Sequence, residues 1–281
     1  MNATSLSWGR HYLMCPPDHF TVEYAINPWM TTEEPVDLPA ARHQWDGVVN
    51  AIEEAGGVVS TIEPDPDLPD MVFTANAGIM ADGVFAPARM RFPERAGEPR
   101  LAAEWAVAAG YDVAEIKVDT FEGMGDALPF RDMLIAGYGQ RTKLDAWSQL
   151  SAGLGWDYTP IELRDPRFYH IDIVFSPLND RSALVAPAGL TDAGLRTIKS
   201  IVPDPILLTD EEAMQFSANS IVVGETVISP AASPRIRREL ERRGFNSIIA
   251  PVGEFLKAGG AVRCLTLPLD IELDTVLAQI A

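Results

Sequence analysis

Short apolar runs, each opened by a polar or small residue, recur along this chain. The openers are Asn76 before Ala-Gly-Ile-Met, Asp126 before Ala-Leu-Pro-Phe and Asp172 before Ile-Val-Phe-Ser. Asn219 before Ser-Ile-Val-Val and Cys264 before Leu-Thr-Leu-Pro complete the set. Successive openers lie 45 to 50 residues apart. In the first four copies a second apolar run returns after a turn, at Val84-Phe85-Ala86, Leu134-Ile135-Ala136, Ala183-Leu184-Val185 and Val227-Ile228-Ser229. Runs of this length between turn signals predict short buried strands, Cys264-Leu265-Thr266-Leu267 among them. A near-constant period predicts a radially repeated unit, each copy too small to bury its own face. Around a common axis, all five openers meet at one end of a central channel.

Between these runs the pattern changes to a helical spacing. Trp45, Val48, Val49 and Ile52 mark one face of a helix over Leu38 to Ala55, stopped by Gly56-Gly57. Further helices are predicted over Leu101 to Ala109, Asp192 to Ile201 and Pro234 to Arg243, the first and last ended by Gly110 and Gly244. Tyr12 to Cys15, stopped by Pro16-Pro17, and Val58 to Ile62 read as strands. In Asn27-Pro28-Trp29-Met30, Pro28 removes a backbone donor and biases Asn27 towards extended geometry, which predicts a loop. Alternating strands and helices predict an α/β fold, and the repeat predicts one domain over residues 1–281.

Composition narrows the partners. Hydrophobic residues make up 47% of the chain, enough for a substantial core. The net charge of −18 argues against nucleic acid, whose phosphates need Lys and Arg. An acidic surface favours the approach of a cationic small molecule, and it also serves solubility. No apolar run approaches the ~20 residues of a membrane span, and Met1 to Arg10 lacks the apolar centre of a signal peptide. With two cysteines far apart, Cys15 and Cys264, a reducing cytoplasmic setting is expected rather than a disulfide framework. The oligomeric state is left open, a homo-oligomer included.

The chemistry gathers at the openers. Cys264 follows Gly259-Gly260, where the missing Cβ atoms let a ligand approach the backbone. A free cysteine is more often a small core residue, and Cys15 is read that way. His170 stands two before Asp172, so on a strand both face one side. Together with Cys264 they fit an activated thiol: a nucleophile, a proton carrier and an orienting carboxylate. Glu122 and Asp126, in Phe121-Glu122-Gly123-Met124-Gly125-Asp126, either join that pocket or close a turn around the glycines. His11, His19 and His43 have no partner at metal-ligand spacing, so no metal is expected. No phosphate loop or Gly-x-Gly-x-x-Gly appears, so no cofactor is expected.

These pieces resemble the guanidine-modifying hydrolases and amidinotransferases, the pentein superfamily. The resemblance rests on Met14-Cys15-Pro16-Pro17, Asn27-Pro28-Trp29-Met30, Pro69 to Gly78, Phe121 to Asp126, Phe168 to Asp172 and Gly259 to Leu267, in family order over nearly the whole chain. It implies a five-bladed α/β propeller with pseudo-fivefold symmetry and a small cationic guanidino amino acid as substrate. The Asn27 loop and Thr74-Ala75-Asn76 look most like bacterial arginine dihydrolases, close to dimethylarginine dimethylaminohydrolases. Arginine deiminases and dimethylargininases typically carry aspartate where Asn76 stands.

The resemblance further implies roles. Cys264 attacks the guanidinium carbon, His170 moves protons and Glu122 holds the imidazole. Asp172 grips guanidinium N–H groups, with Asn76 as a neutral partner and Asp126 on the same side. Arg89 and Arg141 take the α-carboxylate, and Asn27 contacts the amino-acid end. Three other readings stand beside arginine dihydrolysis at this point. They are hydrolysis of methylated arginine to citrulline, amidino transfer to an amine, and a non-catalytic ribosome anti-association factor of the same fold.

Overall fold

The computed structural model describes residues 6–273. Five three-stranded sheets stand around a central axis, each built from an inner strand, an antiparallel middle strand and a parallel outer strand. Four are contiguous in sequence, for example Gly78–Ala81, Val84–Pro87 and Asp112–Val113. The fifth is shared between the two ends of the chain. There the inner strand Leu267–Pro268 pairs with His11–Met14, which in turn pairs with Val58–Thr61. Asp270 strengthens this seam, its two carboxylate oxygens accepting from Gly9 N at 2.9 Å and Arg10 N at 2.7 Å. The fold is a five-bladed α/β propeller.

The inner strands Ala127–Phe130, Phe175–Pro177 and Ile221–Val223 are buried along their whole length. Ala127–Phe130 and Phe175–Pro177 pack against each other across two blades, with Phe130 edge-on to Phe175. Hence they read as continuous apolar runs rather than as alternating ones. The outer strands Val58–Thr61 and Asn246–Ile249 are exposed at both ends and carry the weakest pattern.

A helix joins each middle strand to its outer strand, as a parallel connection requires. These helices are Leu38–Glu54, Glu98–Ala108, Leu144–Leu154, Asp192–Ile201 and Pro234–Arg242. Asp37, Thr191 and Ser233 cap three of them by accepting a backbone N–H from the first turn. Sequence reasoning started the second helix at Leu101. It begins a turn earlier because Pro99 sits in the first turn, where its missing N–H costs nothing. The helix Leu144–Leu154 has no polar cap on Lys143 and went unread.

Two further expectations change. Cys264 is not the head of a strand but lies in a turn over residues 262–265, and pairing starts only at Leu267. His170 and Asp172 do not share a strand face either, since Ile171–Ile173 is a 3-10 turn with His170 at its N-cap. The same device recurs at Thr74–Ala77 and Gly123–Gly125. A tight turn before the inner strand turns the opener's side chain towards the end of the channel. A pattern of apolar runs records the strand and not the turn that precedes it.

Candidate active site

Cys264 is held in its turn by Leu265 N donating to Ala261 O at 3.2 Å and Thr266 N to Arg263 O at 3.0 Å. Thr74 Oγ1 backs the turn, 3.0 Å from Leu265 O and 2.9 Å from Leu13 O. The sulfur has two polar partners. Sγ stands 3.3 Å from Asp172 Oδ2, and Asn219 Nδ2 donates to it at 3.2 Å. Burial pushes the Cys264 thiol well up, and the Asp172 carboxylate adds to this. Burial also pushes Asp172 up to about 7, against the pull of Sγ and Arg263. Its second oxygen, Oδ1, is buried with no partner. A guanidinium at this point would meet a carboxylate oxygen with a free lone pair and a sulfur able to lose its proton.

Opposite lies a charged relay. Glu122 Oε2 accepts from His170 Nε2 at 2.8 Å and from Arg141 Nη1 at 2.9 Å, while Oε1 accepts from Arg91 N at 3.0 Å. Burial alone would raise Glu122. Arg141 and the His170 hydrogen bond outweigh it and hold the carboxyl well below the usual range. The ionised Glu122 therefore fixes the His170 ring through Nε2 and leaves Nδ1 facing Asn76, whose Nδ2 is 3.5 Å away. Arg95 Nη1 donates to Asn76 Oδ1 at 2.9 Å, which settles the orientation of that amide. Gly125 makes the room. A Cβ there would come within 2.3 Å of Asn76 Nδ2 and 3.0 Å of His170 Nδ1. Gly123 has φ +58, and its Cβ would meet the Gly78 backbone at 2.7 Å, so adjacent openers touch main chain to main chain.

A narrow cleft runs past Asn76 and Cys264, and Asn27, Asp70, Arg95, Arg141 and Tyr169 line it. Arg141 is clamped between Phe92 and Tyr169, 4.7 and 4.6 Å from the ring centres, with Nη2 donating to Ile26 O. Asn27 belongs to the cleft wall and ties two loops: Nδ2 donates to Ala258 O at 3.0 Å, and Oδ1 accepts from Trp29 N at 2.9 Å. Tyr169 Oη donates to Gly259 O at 2.7 Å and closes the same wall. The cleft thus sets two guanidinium groups beside the residues around the sulfur, Arg95 on Asn76 and Arg141 on the Glu122 oxygen that also holds His170.

Two residues named from sequence lie elsewhere. Arg89 is exposed on an outer groove, where its guanidinium reaches Ile116 O at 3.5 Å. Arg95, six residues on, is the buried arginine in the cleft, paired with Glu98 through Nε and Nη2 at 2.8 and 2.7 Å. Asp126 is completely buried and uses both oxygens on backbone, accepting from Ile171 N at 3.1 Å and Thr142 N at 3.2 Å. It locks the His170 turn in place and does not line the cleft.

Sequence reasoning also passed over Asp70 and Asn219 as site residues. Asp70 stands in the quoted Pro69-to-Gly78 stretch, and its Oδ1 is buried and unpartnered. Asn219 carried a signal of its own, being the fourth opener of the repeat. No cluster of three or more His, Cys, Asp or Glu side chains poised for a metal occurs among the described residues. No helix among them is long and apolar enough to cross a membrane.

Comparison with known proteins follows this geometry. Residues 17–271 match the family profile "N,N dimethylarginine dimethylhydrolase, eukaryotic". An N(G),N(G)-dimethylarginine dimethylaminohydrolase of Mycobacterium tuberculosis is 38% identical over 260 residues, covering 92% of this chain and 86% of that protein. The bifunctional arginine dihydrolase/ornithine cyclodeaminase AgrE of Nostoc is 38% identical over 262 residues, covering 91% of this chain and only 37% of its own length. Among solved structures, the N-terminal domain of ArgZ, an arginine dihydrolase from the ornithine–ammonia cycle in cyanobacteria, was determined bound to product. It superposes with a TM-score of 0.89 at 36% identity, covering 94% of this chain and 98% of that domain. A cysteine-to-serine variant of the same domain, at the same TM-score and identity, was captured with substrate. With nearly the whole chain inside the profile, and with these relatives, the chain belongs to the N,N dimethylarginine dimethylhydrolase family.

Proposed function

We propose that this protein hydrolyses the guanidino group of L-arginine through Cys264 and carries the reaction to ornithine, ammonia and carbon dioxide. The observation that carries the reading is the Cys264 sulfur against Asp172 in a cleft that Asn76 also lines, with the His170–Glu122 pair behind Asn76. Arg141, which lines the cleft, receives the α-carboxylate, while Arg95 is held by Glu98 and holds Asn76. The guanidinium meets Asp172 Oδ1, and its charge favours the thiolate over the thiol. His170 Nδ1, which faces the Asn76 amide donor at rest, takes the proton that the Cys264 thiol loses. Sγ attacks the guanidinium carbon, and Nδ1 passes that proton to the nitrogen that departs as ammonia. Nδ1 then takes a proton from water. Hydroxide adds to the carbon, the C–S bond breaks, and citrulline remains.

Asn76 separates one hydrolysis from two. Citrulline carries a neutral ureido group, to which Asn76 Nδ2 can donate while Arg95 holds its oxygen. A second attack releases ammonia, and hydrolysis of the adduct gives N-carboxyornithine, which loses carbon dioxide. An aspartate here would turn towards Arg95 as an ion pair and offer the ureido oxygen no donor. Mass spectrometry of products from purified protein with L-arginine tests this. Ornithine without accumulated citrulline is expected, and Asn76→Asp is expected to shift the product towards citrulline. Citrulline as the only product of the unsubstituted enzyme refutes the second step.

The family profile and the mycobacterial relative favour one other reading, hydrolysis of dimethylarginine to citrulline and dimethylamine. Turnover of arginine and dimethylarginine side by side separates the two.

The arginines provide a second test. Arg141→Ala is expected to raise KM for arginine by ~100-fold, the scale of a lost charge-assisted hydrogen-bond pair. Arg89→Ala, on the outer groove, is expected to leave kcat/KM within ~2-fold, as surface substitutions generally do. Steady-state kinetics of both variants decide the assignment.

A further inference from the structure

Asn219 meets the nucleophile with an amide whose orientation is fixed. Its Oδ1 accepts from Arg263 N at 3.0 Å and lies 3.4 Å from Cys264 N. That leaves Nδ2 with two hydrogens and two acceptors, Asp172 O at 3.1 Å and Cys264 Sγ at 3.2 Å. The side chain is wholly buried. The bonds to backbone explain Asn219 as a brace between the third blade and the turn that carries Cys264. They do not require the remaining hydrogen to point at sulfur. We propose that Asn219 is a positioning residue that aims Sγ into the cleft and supports it as a thiolate.

The surroundings make such support necessary. Sγ is buried, and the groups acting on it besides Asn219 are the Asp172 carboxylate, the Ala261 backbone N–H, which also favours the thiolate, the Tyr169 phenol and, from the residue before it, Arg263. Asp172 opposes the thiolate. Arg263 is fully buried, donates from Nε to Ser220 O at 3.1 Å, and has both Nη atoms unpartnered. It lends a fixed positive charge behind the sulfur without a hydrogen bond to it. Among the described residues Asn219 therefore supplies the side-chain donor to Sγ. A thiolate gains more from an N–H donor than a thiol does.

The inference rests on Cys264 as the nucleophile, and its test reads the thiol directly. Asn219→Asp keeps an oxygen for the two backbone N–H groups but turns the donor facing sulfur into an acceptor. The rate of Cys264 alkylation by iodoacetamide, followed from pH 6 to 10 by peptide mass spectrometry, is expected to fall ~10-fold or more at pH 8. Its midpoint moves to higher pH. In the same variant kcat on L-arginine falls in step, while KM does not rise. Should that variant fail to fold, Asn219→Ser decides. Its shorter hydroxyl still accepts one backbone N–H but falls short of sulfur, and the same loss is expected. Unchanged alkylation and kcat in the folded variant overturn the proposal. Turnover surviving in Cys264→Ala would instead overturn the functional reading on which it rests.

Discussion

Cys264→Ala is expected to lower kcat on L-arginine by ~10⁴-fold or more while leaving the binding of arginine almost intact, the pattern seen when a nucleophile is removed. In the proposed reaction its sulfur is the group that bonds to the guanidinium carbon. Asp172 and Arg141, which bind the substrate in the proposed reaction, remain. Isothermal titration with arginine and a product assay on the same sample test both halves. Appreciable turnover in the variant would move the chemistry to another group. The pH dependence of the unsubstituted enzyme belongs to the same argument. Burial places Asp172 at about 7, above its ordinary value. Below that pH the carboxyl is neutral and cannot pair with a cation. Hence kcat/KM for arginine is expected to rise as pH increases through about 7, and a rise confined to much lower pH would contradict this role.

Glu122→Gln is expected to be nearly as damaging, by ~10³-fold in kcat, because one substitution removes a charge that two groups share. Oε2 receives both His170 and Arg141, and both lie in the interior. A glutamine can still accept one hydrogen bond, but its amide nitrogen would face a donor. The imidazole loses its anchor, and a buried guanidinium loses its counter-ion. Breaking a buried pair from one side costs ~3–5 kcal/mol of stability. A fall in melting temperature should therefore accompany the loss of kcat. Damage to kcat without any effect on Tm would mean that Arg141 does not depend on Glu122. An unchanged kcat would remove His170 from the reaction.

Much of the architecture was legible because the inner strands are buried on both sides. Ala127–Phe130 and Ile221–Val223 announce themselves as apolar runs, and their openers keep time at 45 to 50 residues. The outer strands were harder to read, since Asn246–Ile249 is half in solvent and mixes polar with apolar positions. The catalytic side chains were legible as a group for a related reason. The repeat brings openers together whatever their identity, so Asn76, Asp126, Asp172 and Cys264 could be gathered from their spacing, while Asn219, an opener as well, was given no role. The turns on which they sit left no trace in the pattern, and His170 and Asp172 came together by a different geometry from the expected one. Arginines were the least readable. Arg89 and Arg95 lie in the same stretch, and only the burial of Glu98 beside Arg95 tells which guanidinium turns inward.

The seam of the propeller has a consequence for how competence is acquired. The strand that follows Cys264 has its partner at the opposite end of the chain, and Thr74 braces the nucleophile's turn by bridging Leu13 and Leu265. Contacts so distant in sequence are entropically the most expensive to close and tend to form late. A chain whose first four blades had folded would still have an unplaced thiol. The turn that carries Cys264 is thus held by contacts that exist only once the two ends of the chain have closed the ring.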